Sequence, residues 1–147
     1  MKAKDLSILQ ELREDARRSL TTIGKETDVP LSTVFKRVEN LEKGLIKRYV
    51  SLVDFHLMGF GVKISLVFKS KDRDALKKFL LDHPNVNSVY RTSQDFDFFV
   101  ETVFPNMLGF ENFMEAVNDL VSDKKVFHII EEFRKEDFNF LKDEKSK

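Results

Sequence analysis

The apolar residues of this chain change period near Gly44, and that change commits it to two differently built halves. Before it, apolar side chains recur at helical spacing: Leu6, Ile8, Leu9 and Leu12, then Leu20 and Ile23, then Leu31, Val34, Val38 and Leu41. Beyond it, Val62, Ile64, Leu66 and Phe68 alternate with Lys63, Ser65 and Lys69. A helix repeats its faces about every 3.6 residues and a strand every 2, so one half is helical and the other starts with a strand.

In the helical half the spacing predicts a first helix over 5–15, with Asp5 as its N-cap. Ser19 is placed to cap a short second helix. Asp28-Val29-Pro30 interrupts it, because proline lacks a backbone donor and biases the preceding residue away from helix. A third helix follows over 31–43, with Leu31, Val34, Val38 and Leu41 on its inner stripe and Gly44 as its stop. Three short helices with a tight break between the last two make a helix-turn-helix.

The second half reads as strand 62–69, helix 73–82, strand 86–92, a turn at Ser93-Gln94-Asp95, strand 96–104, helix 108–121 and strand 126–135. That β-α-β-β-α-β order is the ferredoxin-like pattern, so the expected class is α+β. Tyr49, Val50, Leu52 and Val53 form an extended connector. Phe98, Phe99, Val100, Val103, Phe127, Ile129, Ile130 and Phe133 put apolar side chains on both faces of the sheet. A sheet with helices on one face and apolar residues on the other needs a cover, and a second copy of the chain is the simplest one. The tail from Phe138 is expected to dock its aromatic rings and to fray over the final residues LKDEKSK.

Composition removes several function classes. The 147 residues are 41% hydrophobic and 34% charged, the balance of a folded globular chain. No apolar run reaches the roughly 20 residues of a membrane span, and the N-terminus does not resemble a secretory signal. Cysteine is absent, which excludes disulfides, thiolate zinc sites and cysteine nucleophiles and suits a reducing, cytoplasmic setting. His56, His83 and His128 show no metal-binding spacing, and neither a Gly-rich phosphate loop nor a nucleophile elbow occurs. Asp95 and Asp97 are the nearest approach to a catalytic carboxylate pair, and a turn and a strand edge account for them better. No metal or cofactor is expected, and no enzyme.

The chain is neutral, with 25 basic and 25 acidic residues, but the neutrality hides a split. The first fifty residues hold 11 basic and 8 acidic side chains, leaving 14 and 17 for the remainder. On a helical wheel, Ser32, Thr33, Lys36, Asn40 and Lys43 lie opposite the inner stripe, with Arg37 on a flank. Short hydroxyls, an amide and long cations are the groups that read base edges and hold phosphates in a major groove. Ser32, Thr33, Lys36 and Asn40 are therefore the expected base contacts, with Arg37 on phosphate. Arg17 and Arg18 precede the second helix, whose free N–H groups near Ser19 and Thr21 suit a phosphate. Lys47 and Arg48 follow the third helix, where they would add sequence-blind attraction.

These stretches resemble the Lrp/AsnC, or feast/famine, family of transcription regulators over nearly the whole chain. DLSILQELREDARRSLTTIGKE is similar to the family's first two helices, and STVFKRVENLEKGLIKRYVSLVDF to its recognition helix, exit and linking strand. The stretch from about 61, including DFDFFVE, resembles its ligand-sensing, oligomer-forming domain. The resemblance implies a helix-turn-helix domain over 1–47, a linker strand and junction over 48–60, a ferredoxin-like sensing domain over 61–137 and a tail over 138–147. It further implies a sequence-specific, nucleoid-associated DNA-binding regulator. Such a protein would act as a homodimer through its C-terminal sheets, or as a tetramer or octamer, on a pseudo-palindromic operator in double-stranded DNA. The family's effector loop, Gly-x-(Tyr/Phe)-Asp, corresponds to Gln94-Asp95-Phe96-Asp97. That makes Gln94, Asp95 and Asp97 the expected effector-binding residues, for an amino acid or other small molecule, with Gln94 standing where the family has glycine. Sirohaem decarboxylases resemble the same architecture and are the enzymatic alternative. They carry histidines near the second and third strands, where VNSVYRTSQDFDFFV has none.

Overall fold

The computed structural model describes residues 1–141. The chain forms two compact units, one of Met1–Leu52 joined by the stretch that begins at Arg134, the other of Val53–Phe133.

The first unit holds α1 (Ala3–Glu14), α2 (Leu20–Thr27) and α3 (Leu31–Gly44). Ile8 and Leu12 of α1, Ile23 of α2, Val29 of the turn, and Val34, Val38 and Leu41 of α3 share one core. Leu31 does not join it. It is the first residue of α3, directly after Pro30, and is 52% exposed. The start of α1 also differs from expectation. Lys2 occupies the N-cap position, and Asp5 lies in the first turn with its carboxylate on Arg37. At the other end of α3, Gly44 is the last helical residue rather than a left-handed stop. Leu45 and Ile46 both donate their backbone N–H to the Leu41 carbonyl, at 2.8 and 2.9 Å. Ser19 caps α2 as its sequence position predicts, accepting from the Thr22 N–H at 3.1 Å.

The second unit is a four-stranded antiparallel sheet in the order β2-β3-β1-β4 with two helices. Its elements are β1 (Val62–Ser70), α4 (Arg73–Asp82), β2 (Val86–Arg91), β3 (Phe98–Phe104), α5 (Met107–Val117) and β4 (Val121–His128). Asp72 and Asn106 cap the two helices through their side chains. Ile64, Leu66 and Phe68 of β1 and Phe98, Val100 and Phe104 of β3 pack with Leu76, Leu80, Phe113 and Val117 of the helices. β3 alternates strictly between buried and half-buried residues, so Phe99, Glu101 and Val103 turn to the opposite face.

The last strand begins and ends earlier than its apolar residues predict. β4 is an edge strand whose Ser122, Asp123, Lys124 and Lys125 are exposed, so its polar first half hid it. It ends at His128 because its partner β1 pairs with it only from Ile64 onward. Ile130 and Phe133, assigned to the sheet from the sequence, lie beyond the strand and are exposed. The second helix of this unit is likewise shorter than expected, giving way to a single 3-10 turn at Asn118–Leu120.

Between the helical core and β1, residues Tyr49 to Val53 form no strand with any described residue. The Tyr49 hydroxyl instead donates to Glu42 at 2.8 Å. In the tail, Arg13 of α1 donates to the Glu136 carbonyl at 3.2 Å and pairs with its carboxylate at 3.7 Å. The Phe138 and Phe140 rings lie 6.2 Å apart and tilted by 50°, with Phe138 itself exposed. The expected fraying of the final residues lies outside the described residues.

Candidate nucleic-acid interface

The turn between α2 and α3 is three residues long, and one glycine makes it possible. Asp28 closes α2 in the left-handed conformation, φ 52° and ψ 48°, and the Val29 N–H reaches back to the Gly24 carbonyl at 2.9 Å. A Cβ on Gly24 would stand 2.8 Å from the Val29 carbonyl oxygen, closer than such atoms approach. The Pro30 carbonyl then accepts from both Thr33 and Val34, at 2.9 Å each, starting α3. Since Pro30 has no N–H to satisfy, it costs little at this helix boundary.

With Val34, Val38 and Leu41 buried, the opposite side of α3 faces outward. Ser32, Lys36 and Asn40 are exposed and Thr33 is half-buried. They line one hollow together with Lys2, Asp5, Arg37, Leu41 and Leu45. The structure thus brings together four residues expected from the sequence as base contacts. Lys43 lies further along the helix and pairs with Glu39 at 3.2 Å. Lys2 and Asp5 carried no signal as members of this surface. They belong to α1 and its cap, some thirty positions from α3, and only the packing of the two helices brings them there.

Two of the arginines expected to meet DNA are already engaged. Arg37 forms an ion pair with Asp5, the two side chains being 23% and 21% exposed. Its Nε is buried and finds no acceptor among the described residues. Arg18 pairs with Glu11 and lies 3.8 Å from Glu14, and the Glu11 hydrogen bond holds its proton more tightly than usual. Arg17 differs: its backbone N–H bonds Asp15 at 2.9 Å while its residue stays exposed. Ser19 spends its hydroxyl on the Thr22 N–H and hydroxyl, and Thr21 is exposed in the first turn of α2. Lys47 and Arg48 are exposed beyond α3.

The residues expected to bind an effector lie in the second unit, on the β2–β3 turn. Gln94 adopts φ 69°, a left-handed conformation that glycine enters without strain and other residues seldom adopt. Asp95 is exposed. Asp97 is not: its carboxylate accepts from the Ser70 N–H at 2.7 Å and the Ser70 hydroxyl at 2.6 Å, with Arg73 at 3.4 Å. The two Ser70 hydrogen bonds, with the Arg73 charge behind them, hold this carboxyl below its ordinary range. The Thr92 N–H bonds the Asp97 carbonyl at 2.8 Å and the Thr92 hydroxyl the Phe96 carbonyl at 2.7 Å, closing the turn. Gln94 and Asp95 thus stand at an exposed tip, and Asp97 ties that tip to the end of β1.

Residues 1–42 match the AsnC-type helix-turn-helix domain, and residues 61–136 match the Lrp/AsnC ligand binding domain. The HTH-type transcriptional regulator FL11 of Pyrococcus furiosus is 27% identical over 119 residues, covering 79% of each chain. The regulator LrpC of Bacillus subtilis is 32% identical over 90 residues, 59% of this chain and 62% of its own. Its solved structure superposes with a TM-score of 0.85 at 24% identity, over 91% of this chain and 97% of that one. A Neisseria meningitidis transcriptional regulator solved as an L-Met complex gives a TM-score of 0.83 at 21% identity, over 92% and 93%.

Proposed function

The chain belongs to the Lrp/AsnC family of DNA-binding transcription regulators, and from that premise we propose that it reads operator DNA with the outward face of α3. The supporting observation is the placement of Ser32, Thr33, Lys36 and Asn40 around one open hollow, while Val34, Val38 and Leu41 anchor the helix from behind. These four reach base edges. Arg17, Lys47 and Arg48, with the first turn of α2 at Ser19 and Thr21, take the phosphates. Arg18 and Arg37 are each held by an internal carboxylate, Glu11 and Asp5.

The protein works as a homodimer or a larger assembly, by binding rather than by chemistry, in the cytoplasm. The open sheet face carries Phe99, Val103, Tyr90 and Phe127, and a second copy is the cover that suits it. Two-fold symmetry then sets two half-sites about one helical turn, ~10 base pairs, apart or a multiple of that. A small effector, such as an amino acid, binds near Gln94 and Asp95. The L-Met complex of the Neisseria relative supports that class of ligand. Among the described residues no helix is long and apolar enough to cross a membrane.

Gel-shift titration of genomic fragments, with and without pooled amino acids, tests this reading. Discrete shifted species at physiological salt are expected, with an affinity that one of the amino acids changes. Smearing alone, equal for every fragment, would contradict sequence-specific recognition.

A further inference from the structure

Arg37 is the least exposed cation in the hollow, and its partner is an acid from another helix. Lys2 and Lys36 are both exposed, whereas the Arg37 side chain is 23% exposed and paired to Asp5 of α1. Its Nε is buried without an acceptor, so this guanidinium is held by one end against the wall of the hollow. To reach a phosphate it would have to break the pair and leave the Asp5 carboxylate facing a polyanion. A half-buried pair resists that exchange more than a solvent-exposed one. Asp5 also offsets one of the three positive charges that line the hollow.

We propose that Asp5 sets the specificity of this surface: it withholds Arg37 from DNA phosphates, so that duplexes are selected by Ser32, Lys36 and Asn40 rather than captured by charge. The inference rests on the reading of α3 as the DNA-facing helix. Asp5 acts through Arg37 and is a positioning residue, not a base contact. Charge-driven binding adds equally to every sequence, so releasing one cation raises affinity for all duplexes and narrows the difference between the right one and the rest.

The experiment is a salt titration of full-length protein on a labelled random-sequence duplex, comparing wild type, Asp5→Asn, Arg37→Gln and the double variant. Each phosphate contact contributes about 0.9 to the slope of log affinity against log salt. Asp5→Asn is expected to bind more tightly at low salt and to steepen that slope by ~0.9. Its affinity then falls about 3.5-fold more than wild type between 50 and 200 mM salt. Arg37→Gln is expected to keep the wild-type slope, and Asp5→Asn is expected not to steepen it in that background.

Weaker binding or an unchanged slope for folded Asp5→Asn would overturn the proposal, leaving Asp5 as scaffold. An equal steepening of the slope with Arg37→Gln present would also overturn it, because the added phosphate contact would then not be Arg37. If Asp5→Asn does not fold, Arg37→Gln decides alone: a slope shallower by ~0.9 means the arginine was on phosphate all along. Wild-type protein that ignores the duplex even at the lowest salt would instead defeat the DNA-facing reading of α3 itself.

Discussion

Gly24 and the carbonyl of Val29 meet so closely that no side chain fits between them: a Cβ would stand 2.8 Å from that oxygen. This contact sets the angle between α2 and α3, since the same glycine's carbonyl accepts the Val29 N–H. Gly24→Ala gains about 1 kcal/mol of helix propensity but forces backbone apart, at roughly 1–3 kcal/mol. The expected result is a less stable first unit and weaker DNA binding, while the second unit stays folded. Thermal unfolding followed by circular dichroism and a gel shift check it, and wild-type values in both would contradict it.

Asp97 is expected to act as a pH-dependent fastener of the β2–β3 turn. Ser70 holds its carboxyl below the ordinary value of 3.8, so the ion is favoured in the folded state. A lowered folded value contributes stability that is present above the unfolded value and lost as pH falls through the folded one. Asp97→Asn should therefore lower the melting temperature near neutral pH, by a loss of about 1 kcal/mol. The difference from wild type should close as pH drops below about 4. Melting curves across that range decide it; a difference independent of pH would show that the charge is irrelevant.

The open sheet face predicts assembly. Phe99 and Tyr90 lie 6.0 Å apart there, on neighbouring strands. Phe99→Lys puts a charge among apolar residues without entering the core between sheet and helices. Light scattering should report a monomer, or an association weakened by more than tenfold, with the circular dichroism spectrum unchanged. An unaltered mass would place the interface elsewhere.

How much of this was legible in the sequence depended on whether the signal was local. The helix-turn-helix was readable because Pro30, Ser19 and the apolar stripe of α3 act on their own neighbours. The core of β1 and β3 was readable because alternation is a property of each strand alone. β4 was displaced because its first half is polar and edge strands tolerate charge; its end is set by where its pairing with β1 stops, at Ile64, which is tertiary information. Leu31 looked like core by periodicity, but the stripe starts one turn later. Asp5 was the clearest miss at the site. Its position before an apolar run fits an N-cap, and only the approach of α1 to α3 reveals Arg37 as its partner. For Asp97 the resemblance to an effector loop pointed to a ligand, whereas the carboxylate is occupied by Ser70, 27 residues away.

The central claim is that the outward face of α3 reads bases, and selection of bound fragments from sheared genomic DNA tests it most directly. The wild-type protein should enrich a pseudo-palindromic motif with half-sites about one helical turn, ~10 base pairs, or a multiple of it apart. Lys36→Ala combined with Asn40→Ala, both exposed positions, should leave the protein folded, lose ~1–3 kcal/mol per base contact and relax the motif. The same motif, enriched to the same degree by the double variant, would contradict the account.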